Sequence, residues 1–201
     1  MTRDVDRAGF HIGAPVYLQI NKSEATLSAY LERSDGTYMH FRTWAVCAAS
    51  GTLGPKQKQG DGQAPEGFYT VAPHQMNPAS SYHLSFNLGY PNAYDRARGY
   101  TGDYLMVHGN CVSIGCYAMT DAGIDEIWTL MQAAFEGGQT SIPVHIFPFD
   151  MTAANLQANA GSEHAAFWRS LAPAWVHFET TALVPEVLVS NGDYALADVV
   201  H

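Results

Sequence analysis

The chain has 201 residues, 47% of them apolar and 14% charged, which suits one domain, or one domain with a small addition. Nineteen acidic against ten basic residues give a formal charge of −9, and a surface of that sign excludes nucleic acid as a partner. No run reaches the roughly 20 apolar residues of a membrane span, so no transmembrane segment is expected.

The amino terminus, Met1-Thr-Arg-Asp-Val-Asp-Arg7, is charged and lacks the apolar stretch of a signal peptide; taken literally it predicts a cytoplasmic protein. Residues 15–21 read as a first strand, with Tyr17 and Gln19 on one face and Val16, Leu18 and Ile20 on the other. Residues 27–33 and 37–48 form the arms of a hairpin around Ser34-Asp35-Gly36, where Asp-Gly supplies the tight turn. Residues 50–67 form a loop whose Gly51-Thr-Leu-Gly54-Pro-Lys56 fails the spacing of a phosphate loop, and Pro55 removes an N–H that a phosphate would need. A strand follows at 68–72.

Residues 82–88 alternate His83, Ser85 and Asn87 against Leu84, Phe86 and Leu88, the pattern of a half-buried strand. Residues 90–100 are then a loop carrying Asn92, Tyr94, Asp95, Arg96 and Arg98. After residue 116, Ile124, Ile127, Trp128, Met131 and Phe135 have helical spacing, with Thr120 or Asp121 as cap and Gly137-Gly138 as stop. Residues 141–149 read as a closing strand. Residues 153–182 are alanine-rich and helical, with Pro173 kinking or splitting the run, and Asn191-Gly192 joins two apolar runs within 185–198 as a hairpin.

The chemistry concentrates between Tyr104 and Asp121. An apolar run leads to His108-Gly109, and Cys111, Ser113, Gly115 and Cys116 follow before a helix start. A cysteine nucleophile needs a base to take its proton and donors where carbonyl charge can settle. His108 is the candidate base and Cys116 the nucleophile, with the N–H groups of Gly115 and Cys116 as oxyanion donors and the helix start as a source of thiolate stabilisation. Ser113 is expected to orient the loop, and Gly109 to keep the approach to His108 open. His108, Cys111 and Cys116 also read as possible zinc ligands, although paired CxxC knuckles are absent. Three cysteines are an odd number, so one thiol is free or pairs between chains, and Cys47 and Cys111 are able to pair in an oxidising compartment.

His108-Gly109 followed by Ser113-x-Gly115-Cys116 resembles the signature of the L,D-transpeptidase (YkuD-type) peptidoglycan enzymes. Ser50-Gly-Thr-Leu-Gly-Pro-Lys56, Gln63-Ala-Pro-Glu-Gly-Phe-Tyr69, Gly89-Tyr-Pro-Asn-Ala-Tyr-Asp-Arg96 and Val144-His-Ile-Phe-Pro-Phe149 extend the likeness to the YafK-like subgroup, over roughly residues 14–150. The resemblance implies a mostly β fold with helices: an amino-terminal segment 1–13, a β-sandwich or barrel catalytic domain over 14–150, and a helix-plus-hairpin extension over 151–201. It implies Cys116, His108, Ser113, Gly115 and Gly109 as the catalytic set, with no metal and no organic cofactor.

The wider family often carries an arginine two residues after the cysteine, where this chain has Ala118, and its loop from histidine to cysteine is longer. Arg96 is the expected replacement for that arginine, since a guanidinium grips a carboxylate bidentately. Tyr94, Asn92, Tyr117 and Lys56 are the other expected substrate contacts. The partners implied are peptidoglycan stem peptides and peptidoglycan-linked lipoprotein, and the location implied is the periplasm or another exported site, with a signal peptide removed. The subgroup likeness and short loop favour hydrolysis of the lipoprotein–peptidoglycan amide. Crosslinking or attachment of lipoprotein, a non-catalytic wall-binding module, and a zinc protein are the alternatives.

Overall fold

The structure, a computed structural model, describes Val5 and residues 9–197. The rest of the amino-terminal segment, and Asp198 at the end of the predicted hairpin run, lie outside the described residues.

The strands are β1 (Val16–Asn21), β2 (Thr26–Glu32), β3 (Tyr38–Ala45), β4 (Ala48–Ala49), β5 (Gly67–Val71), β6 (Met76–Ser80), β7 (His83–Asn87), β8 (Met106–His108), β9 (Tyr117–Ala118), β10 (Ile142–Phe147), β11 (Val187–Ser190) and β12 (Asp193–Leu196). The helices are α1 (Ala93–Ala97), α2 (Asp121–Glu136), α3 (Ala153–Ala158) and α4 (Ala165–Thr181). One five-stranded sheet runs β3-β2-β1-β10-β5 and the other β4-β9-β8-β7-β6, while β11 and β12 form a separate hairpin. Each large sheet holds one parallel pair, β1 with β10 and β8 with β9.

The main core is shared by the two sheets and α2. Leu18, Ile20 and Leu27 from the first sheet share this core with Phe86, Val107 and Tyr117 from the second and with Ile124, Ile127 and Met131 of α2. Thr120 caps α2 by accepting the Gly123 N–H at 3.0 Å, and Gly137 closes it, as the sequence pattern predicts. Both turn readings hold. Gly36 lies at φ +81°, and Asn191 and Gly192 at +53° and +82°, the left-handed pair that a tight hairpin needs.

Both faces of β1 are covered at Tyr17, which is fully buried because α4 covers the outer side of the first sheet and sets Phe178 4.8 Å from the Tyr17 ring. Two expectations are corrected. The helical run 153–182 breaks between α3 and α4, around Asn159 and Gly161, whereas Pro173 sits inside an unbroken α4. The stretch 90–100 contains the short helix α1, capped by the Asn92 side chain. Strands β4 and β6 were not legible: β4 is two residues long, and β6 carries Pro78.

The carboxy-terminal helix is tied into the sheet by chemistry as well as packing. Trp168 joins Phe68, Phe147 and Phe149 in a second core, and its Nε1 donates to Glu66 Oε2 at 2.8 Å. Buried Glu66 also accepts from Lys22 Nζ (3.1 Å) and the Gly54 N–H (2.6 Å), so its charge is fully partnered. Lys22 Nζ reaches the carbonyls of Gly54 and Ala64 at 2.9 and 2.8 Å, which pins the 50–66 loop to the sheet.

His145 lies under the same helix, 4% exposed, with Nδ1 3.1 Å from the Tyr17 hydroxyl, and burial pushes its pKa down to about 3. The unfolded chain takes up this proton near pH 6.5 and the folded one does not, so stability is full above pH 6.5 and falls as the pH drops toward 3. The expected loss between pH 7 and 5 from this group is about 2 kcal/mol. Denaturant midpoints at both pH values check it, and His145→Gln should flatten the dependence.

Candidate active site

β8 ends on the candidate base, His108, and the candidate nucleophile, Cys116, immediately precedes β9. Val107 pairs with Tyr117 and His108 with Ala118 in the parallel ladder, which sets Cys116 level with Met106. The Met106 N–H donates to Cys116 Sγ at 3.5 Å. His108 and Cys116 line one cleft of about 440 Å³. The imidazole is 4% exposed and Cys116 is half-buried.

The tautomer of His108 follows from its neighbour. Nδ1 lies 2.6 Å from the Gly109 carbonyl, which can only accept, so Nδ1 carries the hydrogen and Nε2 keeps a free lone pair. At rest the thiol donates to the Tyr104 carbonyl at 3.8 Å rather than to this nitrogen. A proton transfer between the two would require the Cys116 side chain to turn toward the imidazole, a tightening common once substrate is bound. Burial raises the thiol pKa, opposed by the Met106 N–H and by the positive charge of Lys56. A thiol held protonated in this way needs an adjacent base to act near neutral pH.

The turn before the cysteine is built by two hydroxyls. Ser113 Oγ accepts the Cys116 N–H at 3.0 Å and donates to the Cys116 carbonyl at 2.6 Å. Ser50 Oγ accepts the Gly115 N–H. This arrangement corrects the oxyanion expectation: both N–H groups assigned to it are already bonded. It also corrects the dipole expectation, since Cys116 leads into β9 and α2 begins only at Asp121. Gly109 is glycine for packing, as a Cβ there would lie 2.6 Å from Asp121 Oδ1 and 3.1 Å from the Tyr82 carbonyl.

Cys47 and Cys111 form a disulfide, with Cα atoms 5.4 Å apart, and Cys116 is the free cysteine. Cys111 is thereby removed as a zinc ligand. The bridge anchors the His108–Cys116 loop to the segment joining β3 and β4.

One wall of the cleft comes from the β6–β7 hairpin: Asn77, Ser80, Ser81, Tyr82 and Ser85. Facing it are Tyr104, Met106, Val112 and Ile114, and the Tyr82 ring lies over the imidazole at 4.8 Å. No Asp, Glu, Lys or Arg lines this cleft among the described residues.

Residues 15–146 match the family model for the L,D-transpeptidase (YkuD) catalytic domain. The chain belongs to the L,D-transpeptidase family. It is 49% identical over 186 residues to the L,D-transpeptidase-family protein YafK of Escherichia coli strain K12, covering 92% of this chain and 75% of that one. YafK of E. coli O157:H7 matches to the same extent. Two crystal structures of the helical cell shape determining protein Pgp2 from Campylobacter jejuni share the fold. The K307A mutant aligns with a TM-score of 0.53 at 20% identity, covering 89% of this chain and 64% of that one. The other aligns at 0.52 and 16% identity, covering 98% and 84%. These likenesses make the chain an L,D-transpeptidase-family enzyme of peptidoglycan, the class the sequence motif pointed to.

The five expected substrate contacts are all placed outside the cleft. Tyr117 is 1% exposed and gives its hydroxyl to the Pro65 carbonyl at 2.7 Å. Lys56 is 4% exposed, and its Nζ is held by Asp61 Oδ1 at 2.5 Å. Asn92 caps α1 and donates to the Phe68 carbonyl and the Tyr194 hydroxyl, both at 2.8 Å. Tyr94 stacks on Tyr194 with ring centres 4.4 Å apart. Arg96 bonds the Pro91 carbonyl and lines a different groove, beside β5 and β11. Loop position misled here, because the polar side chains of 90–100 serve a helix cap and its packing.

Sequence reasoning missed the residues that do shape the cleft. Ser50 fell within a quoted family stretch without a role, and Ser85 read as one polar tooth of an alternating strand. Nothing in local pattern distinguishes Tyr104 and Ile114, 74% and 90% exposed, from ordinary surface residues.

Proposed function

We propose that this enzyme hydrolyses the amide joining an outer-membrane lipoprotein to peptidoglycan, at the L-centre carbonyl of diaminopimelate, through a thioester on Cys116. His108 Nε2 takes the thiol proton, and the sulfur attacks the carbonyl carbon. The C–N bond then breaks and the amine leaves with the proton that His108 returns. Neutral His108 next takes a proton from water, whose oxygen attacks the thioester. The acid is released and the thiol regains its proton. Ser113 holds the Cys116 backbone throughout, and the Gly109 carbonyl keeps Nε2 as the accepting nitrogen.

The observation that carries the choice of substrate is a cleft with no charged side chain in its lining, Lys56, whose charge reaches the thiol, being buried and held by Asp61. A leaving D-amino acid places a carboxylate beside the scissile nitrogen, and a site built for it would offer an arginine or lysine. A leaving amine borne on methylenes would instead suit the apolar rim of Val112 and Ile114. A disulfide beside the active-site loop also fits an oxidising, exported setting.

Incubating the protein with lipoprotein-linked sacculi tests the reading. Soluble lipoprotein is the expected product. New diaminopimelate crosslinks would replace hydrolysis by transfer, and pelleting with neither product would make the protein a wall binder. Arg96→Ala is expected to leave the release rate within about twofold, as for a surface substitution away from the site. A loss beyond tenfold in that assay would restore the arginine to the substrate.

A further inference from the structure

Ser85 stands beside the base, and the mechanism above does not use it. In the ladders of the second sheet, Asn77 pairs with Ser85 and Ser85 with His108, so a polar row crosses β6, β7 and β8 at the level of the imidazole. Side chains paired in this way stand about 5 Å apart at Cβ. Ser85 is 1% exposed and lines the cleft, yet its Oγ has no hydrogen-bond partner among the described residues. A buried hydroxyl without a partner is costly and uncommon, and such groups concentrate where function uses them.

The thiol proton converts His108 into a cation at a buried position. Few groups face it there. The Gly109 carbonyl accepts from Nδ1, and Tyr82, Tyr104 and Cys116 are the titratable side chains that share the cleft. Asp121 lies beside Gly109, where Oδ1 accepts the Asn110 N–H at 2.8 Å, and the exposed pair His83–Asp125 joins the start of β7 to α2. No carboxylate is hydrogen-bonded to the imidazole among the described residues.

We propose that Ser85 is a positioning residue for the base: its hydroxyl oxygen turns a lone pair toward the imidazolium as the cation forms and so favours the charge-separated pair over the neutral one. The proton moves from Cys116 Sγ to His108 Nε2, and none is gained or lost by Ser85. An interaction that strengthens only as charge develops raises kcat without changing substrate binding. This rests on the assignment of His108 as base and Cys116 as nucleophile, but not on the identity of the amide cleaved.

The test compares Ser85→Ala and Ser85→Thr with the wild-type chain in three measurements. In the first, Cys116 is alkylated with iodoacetamide across pH, without substrate. The alanine variant is expected to react about tenfold more slowly near pH 7, with its profile displaced to higher pH, and the threonine variant to follow the wild type. In the second, release of lipoprotein from sacculi should lose about tenfold in kcat for the alanine variant, with KM unchanged. In the third, the melting temperature of the alanine variant should equal or exceed that of the wild type, since an unpartnered polar group has been removed.

An alanine variant with the wild-type alkylation profile overturns the proposal, as does a loss confined to KM or a lowered melting temperature that threonine does not rescue. If sacculi are not cleaved by the wild type at all, the substrate reading fails while the alkylation profiles still decide the role of Ser85.

Discussion

Replacing Cys116 with alanine is expected to cut release of lipoprotein from sacculi by about four orders of magnitude or more, the scale seen when a covalent nucleophile is removed. The fold should survive, because Cys116 is half-buried and contributes no core contact that alanine cannot approximate. His108→Ala should lose nearly as much, since a thiol raised in pKa by burial has no other base beside it in the cleft. The double variant should be scarcely worse than either single one, as groups acting in one step are not additive. Rates from all three proteins, with circular dichroism to show that each is folded, check the expectation. Cys116→Ala retaining a tenth of the wild-type rate would remove the thioester from the account.

The second large effect is expected from the disulfide. Cys47 and Cys111 are 64 residues apart, and closing a loop of that length restrains the unfolded chain by up to about 4 kcal/mol. Reduction, or the pair Cys47→Ser and Cys111→Ser, should therefore lower the melting temperature by about 10 °C in a chain of this size. Function should suffer further. Asn110 and Cys111 both have left-handed backbones, at φ +69° and +47°, and such residues persist only where their surroundings hold them. Apart from the bridge, that stretch is held by the Asn110 N–H on Asp121 Oδ1 and the Cys111 N–H on the Met119 carbonyl. Freed from Cys47, the loop that carries Ser113 and Cys116 should sample arrangements without the Ser113 bonds to Cys116, and turnover should fall by more than stability alone explains. Calorimetry and sacculus assays with and without reductant measure both. Equal melting temperatures and rates would show that the bridge is dispensable.

Much of this was readable from the chain where a local rule decides the outcome. Asp35-Gly36 and Asn191-Gly192 had to turn, and the spacing from Ile124 to Phe135 had to bury one helix face against the sheets. The candidate pair of His108 and Cys116 was read from residue types and motif resemblance together, and both side chains line one cleft. What was not legible was set by long-range packing. Alternation on β1 gave the two faces and not that a helix more than a hundred residues later covers the Tyr17 side. Arg96 has the right chemistry for a carboxylate, but the sheet order puts it in a groove beside β11. The oxyanion assignment failed for a subtler reason: Ser50, far away in sequence, occupies the Gly115 N–H. Ser85 escaped notice because alternation predicts which face a side chain takes, and not whether that face meets water or the active-site cleft.

The central claim is that His108 takes the proton of Cys116, and the most direct measurement is the pH profile of Cys116 alkylation in the wild type against His108→Gln, with the intact disulfide in both. The account predicts that the variant reacts at least about tenfold more slowly near pH 7, with a profile shifted upward toward that of a buried thiol acting alone. Superimposable profiles would contradict it.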